Sequence, residues 1–256
     1  MQESQTKSSI FNGTNLKFFA VVLMVFDHIF QMWNTAGVPQ FFNMLGRPVF
    51  PIFLFLMAES FFHTRSKKKL MTRLLIASLL MGAGNLLLNV YLLRNPDITL
   101  INNAFSTFFM TTVYMYAWDL LNAKKILKGI VITLLPILPA LLQVLILNEN
   151  TPTWLIQLFL LVPNILMVEG GFMVVILGLL FYIFREKRWI QILCLVLLSM
   201  GLFLLEARGI QWMMVFAAIP MALYDGKKGK GMKNFFYIFY PAHIYIFYIL
   251  ASLFSR

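Results

Sequence analysis

Ten apolar stretches follow one another along this chain, and most approach the ~20 residues that a helix needs to cross the hydrocarbon core of a bilayer. They cover residues 16–34, 44–62, 70–93, 104–121, 126–147, 153–168, 170–184, 189–205, 209–224 and 234–254. Only 12% of the 256 residues are charged and 60% are hydrophobic, whereas a soluble domain is roughly half apolar. The sequence therefore predicts an all-α polytopic membrane protein, a single domain over 1–256 with about nine to ten transmembrane helices around a central polar cavity.

The residues on either side of the first apolar stretch indicate whether it is a signal peptide or a helix of the folded protein. A polar segment, 1–15, precedes it, and no small-residue cleavage site follows it. We therefore expect a retained first helix and not a removed signal peptide. The stretch 153–168 is short and contains Pro163-Asn164, so we expect it to dip into the membrane and return. Non-helical backbone at that depth requires burial by protein or a water-filled cavity.

The distribution of basic residues predicts the orientation. If 153–168 does not cross, nine helices span, the N-terminus is cytoplasmic, and 17 of the 21 Lys and Arg lie in cytoplasmic segments. If it crosses, ten helices span and the division becomes 12 against 9. The positive-inside tendency favours the first arrangement, in the cytoplasmic (inner) membrane.

Charge and metal-ligand content exclude several function classes. The net charge is +11, but the basic residues form short clusters between apolar stretches, which indicates orientation charges and no nucleic-acid surface. Cys194 is the sole cysteine, so the chain has neither an internal disulfide nor a thiolate metal cluster. The three histidines lack a spacing such as H-E-x-x-H, so no metal site is predicted.

The first apolar stretch, LKFFAVVLMVFDHIFQMW, contains three ionisable groups. Eleven residues at ~100° each return to the same helix face, so Lys17 and His28 share a face and lie about 16 Å apart along the axis. Asp27 is next to this face. Polar groups of this kind either hydrogen-bond to neighbouring helices or form a functional site, and an acid-base pair at mid-membrane depth favours a site.

The last apolar stretch contains Tyr240-Pro241-Ala242-His243. Counted from Lys233, His243 lies about 15 Å deep, close to the predicted level of His28, so we expect the two rings to meet. Pro241 removes a backbone hydrogen bond to the Tyr237 carbonyl, which predicts a kink and a free acceptor nearby.

Basic and acidic residues bracket the second stretch. In the predicted orientation Arg47 lies near the outer surface, as an interfacial anchor or a ligand-binding group, and Glu59 lies near the inner surface. The densest basic cluster of the chain follows, and it consists of Arg65, Lys67, Lys68, Lys69 and Arg73. Such a cluster is typical of a topology anchor, and it also suits the docking of a phosphate-bearing cytoplasmic ligand.

Two further polar groups have open interpretations. Glu169, in the sequence VEGG, is interpreted either as part of the cavity formed by the dipping stretch or as a loop residue between two short helices. The patch Asn102, Asn103, Ser106 and Thr107 stands at the start of a predicted helix, and we expect it to cap that helix.

Four sequence blocks carry a resemblance to a known family. They read LKFFAVVLMVFDH, GRPVFPIFLFLMAESFFHTR, VEGGFMVVILGLLFYIFR and LYDGKKGKGMKNFFYIFYPAH, in this order. Together they resemble the successive signature blocks of the TraX family over nearly the whole chain. The resemblance extends more faintly to the wider transmembrane acyltransferase superfamily. The signature of that superfamily is a basic residue followed, after ten intervening residues, by a histidine, and Lys17 and His28 match it. Ser60 stands where the TraX block has glycine, a difference that concerns helix packing.

The resemblance implies an integral membrane acetyltransferase, named for acetylation of the N-terminus of conjugative pilin. Acetyl-CoA, or another acyl-CoA, would bind from the cytoplasm with its phosphates near Lys17 and the basic cluster, and no metal is implied. His28, kept basic by Asp27, would take a proton from the acceptor, while His243 and Tyr240 would steady the thioester oxygen or protonate the thiolate. Transient acylation of His28 stays open.

The acceptor and the class of function keep alternatives at this point. Arg47, Glu59 and Glu169 are predicted to contact the acceptor, which is either the N-terminus of a pilin-like peptide or a hydroxyl of an envelope glycan. Membrane lipid is the surrounding partner. A transporter or flippase would also need buried ionisable groups and broken helices, and a non-enzymatic assembly factor would need only the scaffold.

Overall fold

The structure is a computed structural model that describes residues 10–93, 95, 97–206 and 209–254. Residues 1–9 of the predicted polar N-terminal segment lie outside the described residues. The helices are α1 Gly13–Trp33, α2 Phe41–Gly46, α3 Val49–Phe62, α4 Lys67–Leu86, α5 Ala104–Asn122, α6 Ile126–Leu134, α7 Ile137–Ile146, α8 Thr153–Leu161, α9 Gly171–Ile183, α10 Arg188–Leu205, α11 Ala218–Leu223 and α12 Lys233–Phe254. Each predicted apolar stretch contains helix, and the described residues form no strand.

Six helical segments are long and apolar enough to cross a membrane. Within the described residues they are Gly13–Ala36, Phe41–Phe62, Lys67–Leu92, Ile126–Ile146, Arg188–Leu205 and Asn234–Phe254. The prediction of an all-α, multi-pass membrane protein is confirmed. The count of nine to ten spans and the cytoplasmic N-terminus stay predictions.

Polar side chains define where the helices of the site begin. The Asn12 side chain accepts hydrogen bonds from the amides of Thr14 at 3.1 Å and Asn15 at 3.0 Å, which starts α1. Asn103 caps α5 by accepting from the Ser106 amide at 3.2 Å, as the sequence predicted for this patch. These caps satisfy amides that the first turn of a helix leaves without partners.

The stretch 153–168 contains a short helix followed by irregular backbone. Helix α8 has 9 residues, about half of what a crossing helix requires. Asn164 then accepts hydrogen bonds from the amides of Leu166 at 3.0 Å and Met167 at 3.1 Å. The chain reaches α9 through Glu169 and Gly170, both of which line a cavity. Irregular backbone beside a cavity is the arrangement expected for a segment that does not cross as one helix.

The core of the bundle surrounds α1 and α3. Helix α1 packs against α2, α3 and α12, and α3 packs against α9. Large buried side chains at the centre, including Phe55, Phe61, Phe181 and Tyr248, are fully shielded from solvent. Helix α12 stays continuous across Pro241. This packing places the middle of α1 beside the middle of α12, which positions the candidate site.

Candidate functional site

A cavity of about 850 Å³ extends through the bundle between α1, α3, α4, α5 and α12. At one end it is lined by four basic residues, Lys17, Arg73, Lys228 and Lys230, which we call the basic mouth. At the other end it is lined by Asp27, His28, Arg47 and Glu169, which we call the inner end. Lys17 and His28 are separated by eleven helical residues, or about 16 Å. The volume falls within the roughly 300–1,000 Å³ typical of ligand sites.

His28 on α1 and His243 on α12 are in direct contact. The Nδ1 atom of His28 and the Nε2 atom of His243 are 2.6 Å apart, and the two rings stack with centroids 4.9 Å apart. Both residues are buried, with 3% and 6% of their surface exposed. The prediction that equal depth brings these rings together is confirmed.

The hydrogen bonds give this histidine pair a direction. The Nδ1 atom of His243 lies 2.7 Å from the Phe239 carbonyl oxygen, and because a carbonyl only accepts, this nitrogen donates. With both rings neutral, the Nε2 atom of His243 accepts the proton of His28 Nδ1. No described residue bonds to the Nε2 atom of His28, which keeps its lone pair. Since His28 lines the cavity, this lone pair is a base at the inner end.

The structure corrects the predicted role of Asp27. Its carboxylate accepts a hydrogen bond from the Arg47 Nη2 atom at 2.6 Å, and within the described part of the chain none joins it to the His28 ring. Arg47 also donates to the Gln211 Oε1 atom at 2.9 Å and to the Asn43 carbonyl at 3.1 Å. Arg47 therefore connects α1, α2 and the turn before α11. The partner that orients His28 is His243.

Tyr240 and Glu169 form a second polar pair at the inner end. The Tyr240 hydroxyl donates to the Glu169 carboxylate at 2.8 Å and accepts from the Ala104 amide at 2.9 Å. The same Glu169 oxygen accepts from the Asn103 amide at 2.6 Å. In this arrangement neither Tyr240 nor His243 has a hydrogen left for a thioester oxygen. Their contacts favour a positioning role over the predicted donor role.

The basic mouth contains only part of the predicted phosphate-docking set. Lys17 and Arg73 line it, and the Lys17 ammonium lies 5.7 Å from the centre of the Phe236 ring. Arg65, Lys68 and Lys69 are exposed and do not line the cavity. Glu59, predicted to contact the acceptor, lines the cavity near the mouth, with its carboxylate 3.9 Å from the His63 ring.

The sequence of this chain is similar to known proteins along most of its length. The family model described as TraX protein matches residues 12–251. The chain belongs to the TraX family. A similar protein from Dichelobacter nodosus, named "Probable fimbrial assembly protein FimC, serogroup H1", is 26% identical over 250 aligned positions, and the match covers 91% of this chain and 93% of that protein. The comparison with solved structures gave no match.

In this TraX chain, Lys67 is paired with side chains of other helices and does not line the cavity. Its ammonium lies 2.5 Å from an Asp119 carboxylate oxygen and 3.0 Å from the Tyr182 hydroxyl. The exposed fraction of the side chain is 26% for Lys67 and 28% for Asp119. We expect Lys67→Ala to lower the free energy of unfolding by about 1–2 kcal/mol, because charged hydrogen bonds are lost. Thermal unfolding in detergent measures this, and Lys68→Ala, on the same turn but exposed, should stay within about 0.5 kcal/mol of the parent.

The glycine of the TraX block Gly46-Arg47 has a steric reason. A Cβ atom at Gly46 would lie 2.3 Å from the Cβ and Cγ atoms of Asp27. No side chain fits there unless α1 and α2 move apart. Gly46 thus permits the close approach of the two helices that pairs Asp27 with Arg47.

Three residues of the TraX site were not predicted from the sequence. Lys228 and Lys230 line the basic mouth, but their sequence context, a short basic cluster between apolar stretches, indicates only a charge that sets orientation. Gln211, which binds Arg47, lies near the start of the apolar stretch 209–224. No sequence pattern around it indicates a site residue. The glycine-rich sequence around the two lysines, DGKKGKG, was the available signal for the first two.

Proposed function

We propose that this TraX protein is an integral membrane acetyltransferase that moves an acetyl group from cytoplasmic acetyl-CoA to the N-terminus of a pilin-like peptide. The observation that carries the proposal is the unused lone pair of His28 at the inner end of a cavity whose other end is basic. Ionisable groups within membrane-spanning helices are costly, and they usually belong to a site or pathway.

The two ends of the cavity fit the two parts of an acyl-CoA. Its phosphates are anionic and suit the basic mouth, since Lys and Arg bind phosphate through charge-assisted hydrogen bonds. The pantetheine arm is long and narrow, and would extend along α1 from Lys17 towards His28. The thioester carbonyl then lies within reach of the inner end.

The chemistry needs one base and no metal. The acceptor amine attacks the carbonyl carbon of the thioester, a nitrogen–carbon bond forms, and the carbon–sulfur bond breaks with its electron pair going to sulfur. The amine proton passes to the Nε2 atom of His28, which then protonates the thiolate of coenzyme A. The same nitrogen serves both transfers, because the proton that it takes from the amine is the proton that it gives to the thiolate.

The remaining polar groups position this base and shape the site. His243 holds the His28 tautomer by accepting from its Nδ1 atom, as a supporting partner does in other acid-base sites. Tyr240 and the Asn103 amide hold Glu169 at the cavity wall. Glu169 and the Arg47 guanidinium line the inner end of the cavity and would contact the acceptor there, and Glu59 lies nearer the mouth.

In the proposed orientation the basic mouth opens to the cytoplasm. The inner end of the cavity then lies towards the extracytoplasmic side of the membrane. The excess of Lys and Arg in the predicted cytoplasmic segments supports it. The membrane would then be the cytoplasmic (inner) membrane. The acceptor enters from the side opposite to the donor.

The name of the Dichelobacter nodosus relative, a probable fimbrial assembly protein, supports a pilin-like acceptor over an envelope glycan. A glycan hydroxyl is the alternative acceptor for the same base. Comparing envelope peptides and glycans from cells with and without this protein by mass spectrometry distinguishes the two, because acetylation adds about 42 Da.

The decisive experiment uses the purified protein in lipid nanodiscs. With acetyl-CoA and an acceptor peptide we expect release of coenzyme A and acetylation of the peptide amine. A transporter, flippase or non-enzymatic assembly factor would consume no acetyl-CoA, so an intact thioester after prolonged incubation with acceptor would overturn the proposal. Protein without acceptor is the control for hydrolysis.

A further inference from the structure

The loop 225–232, with sequence DGKKGKGM, is held against the start of α1, and we call it the Gly-Lys loop. The Gly13 amide donates to the Lys227 carbonyl at 2.8 Å. The Thr14 hydroxyl lies 3.0 Å from the Lys228 carbonyl and 2.5 Å from the Lys230 carbonyl. A polar loop between membrane helices normally extends into solvent, whereas this one is anchored at the edge of the cavity.

The anchoring determines which backbone groups of the Gly-Lys loop are available. In a trans peptide the N–H points away from the preceding C=O. Because the carbonyls of Lys228 and Lys230 face α1, the amides of Gly229 and Gly231 point away from α1. Gly229 has φ 74°, and a Cβ there would lie 2.3 Å from the Asn12 Oδ1 atom, so glycine is required for this close contact.

The side chains of the Gly-Lys loop add positive charge where positive charge is already present. Lys228 and Lys230 line the mouth together with Lys17 and Arg73, so four positive charges surround this end of the cavity. Among the described residues no carboxylate lies within 4.0 Å of any of these four groups. Like charges that have no ion-pair partner repel one another, and such a concentration of positive charge attracts an anion.

We propose that the Gly-Lys loop is a phosphate-binding site, in which Lys228 and Lys230 contact the phosphates of the nucleotide part of the donor. This inference rests on the proposed function, since it assigns the donor's recognition to this loop. Lys17 and Arg73 complete the site from α1 and α4. Arg65, Lys68 and Lys69, which resemble such a site in sequence, take no part in it.

The test measures binding of adenosine 3′,5′-bisphosphate, which has nucleotide phosphates but no thiol arm, to the full chain in phosphatidylcholine nanodiscs. We expect Lys228→Gln and Lys230→Gln each to weaken binding about tenfold, the size of one lost charge-assisted hydrogen bond. The matched control, the double variant Lys68→Gln/Lys69→Gln, removes two neighbouring exposed charges and should leave the Kd unchanged. Added salt should weaken the parent more steeply than the loop variants.

Each outcome has one meaning. Equal weakening by the loop variants and by the control would show non-specific charge attraction and overturn the loop assignment. Nucleotide binding that the loop variants leave unchanged would overturn it while leaving the acetyltransferase proposal standing. A third outcome is that the nucleotide does not bind the protein in phosphatidylcholine nanodiscs, while the protein binds phosphatidylglycerol through Lys228 and Lys230. The loop would then contact lipid headgroups, and the inference would be wrong. Normal acetyl transfer by the loop variants at low acetyl-CoA would also contradict it.

Discussion

We expect His28→Asn to slow acetyl transfer by about 10²–10⁴-fold, the contribution of one general base. The asparagine side-chain amide occupies the place of the histidine Nδ1–H, so the hydrogen bond to the His243 Nε2 atom, 2.6 Å long in the parent, can still form. The basic Nε2 atom is lost. The substitution therefore removes the proposed chemistry while keeping the contact between α1 and α12.

The measurement is initial-rate release of coenzyme A with saturating acceptor. Binding of adenosine 3′,5′-bisphosphate is the control, since the basic mouth lies about 16 Å from His28 and its affinity should be unchanged. His243→Asn keeps a donor for the Phe239 carbonyl but loses the acceptor for His28, so its loss of rate should be smaller. A His28→Asn rate above a tenth of the parent rate would exclude His28 as the base.

The pairing of His28 with His243 could be predicted because depth in a membrane helix follows from residue count. Each residue advances a helix by about 1.5 Å. His28 lies eleven residues after Lys17 and His243 lies ten residues after Lys233, so the two histidines have nearly the same predicted depth in the membrane. The residues that share a level are few, and both of these are costly to bury among lipid. The structure adds what counting could not give, namely the direction of the hydrogen bonds.

The partner of Asp27 could not be predicted from its neighbour in sequence. Adjacent residues on a helix point about 100° apart, so Asp27 and His28 face different neighbouring helices. Asp27 faces α2, where Gly46 leaves room for its side chain, and Arg47 follows at once. The contact depends on how α1 and α2 cross, and no local pattern specifies that crossing.

The basic residues show why charge alone is ambiguous. Lys67 belongs to the densest cluster in the sequence, yet it pairs with Asp119, which comes from another helix. Lys228 belongs to a weaker cluster, yet its loop is folded back onto the cavity by Thr14. The same residue type therefore serves fold stability in one place and lines the cavity in another. Only the tertiary contacts distinguish the two.

We expect loss of the ion pair between Asp27 and Arg47 to lower the stability of the chain strongly. Asp27→Ala leaves the Arg47 charge without its carboxylate, which costs about 3 kcal/mol of unfolding free energy, the lower part of the range for buried pairs. The lower part applies because the two side chains are 22% and 23% exposed to the cavity. The remaining bonds of Arg47, to Gln211 and Asn43, do not neutralise its charge.

The double variant Asp27→Ala/Arg47→Met separates the pair from its parts. Replacing both charges leaves no unpaired ion, and exchanging a buried pair for apolar groups is often neutral. We therefore expect the double variant to be more stable than Asp27→Ala alone, with a coupling energy of about 1–3 kcal/mol in a double-mutant cycle. The value is obtained from the unfolding, in mixed micelles, of four proteins: the parent, Asp27→Ala, Arg47→Met and the double variant. Additive single effects would mean that the 2.6 Å contact between Asp27 and Arg47 does not stabilise the chain, and that Asp27 is held in the cavity for another purpose, such as binding the acceptor amine.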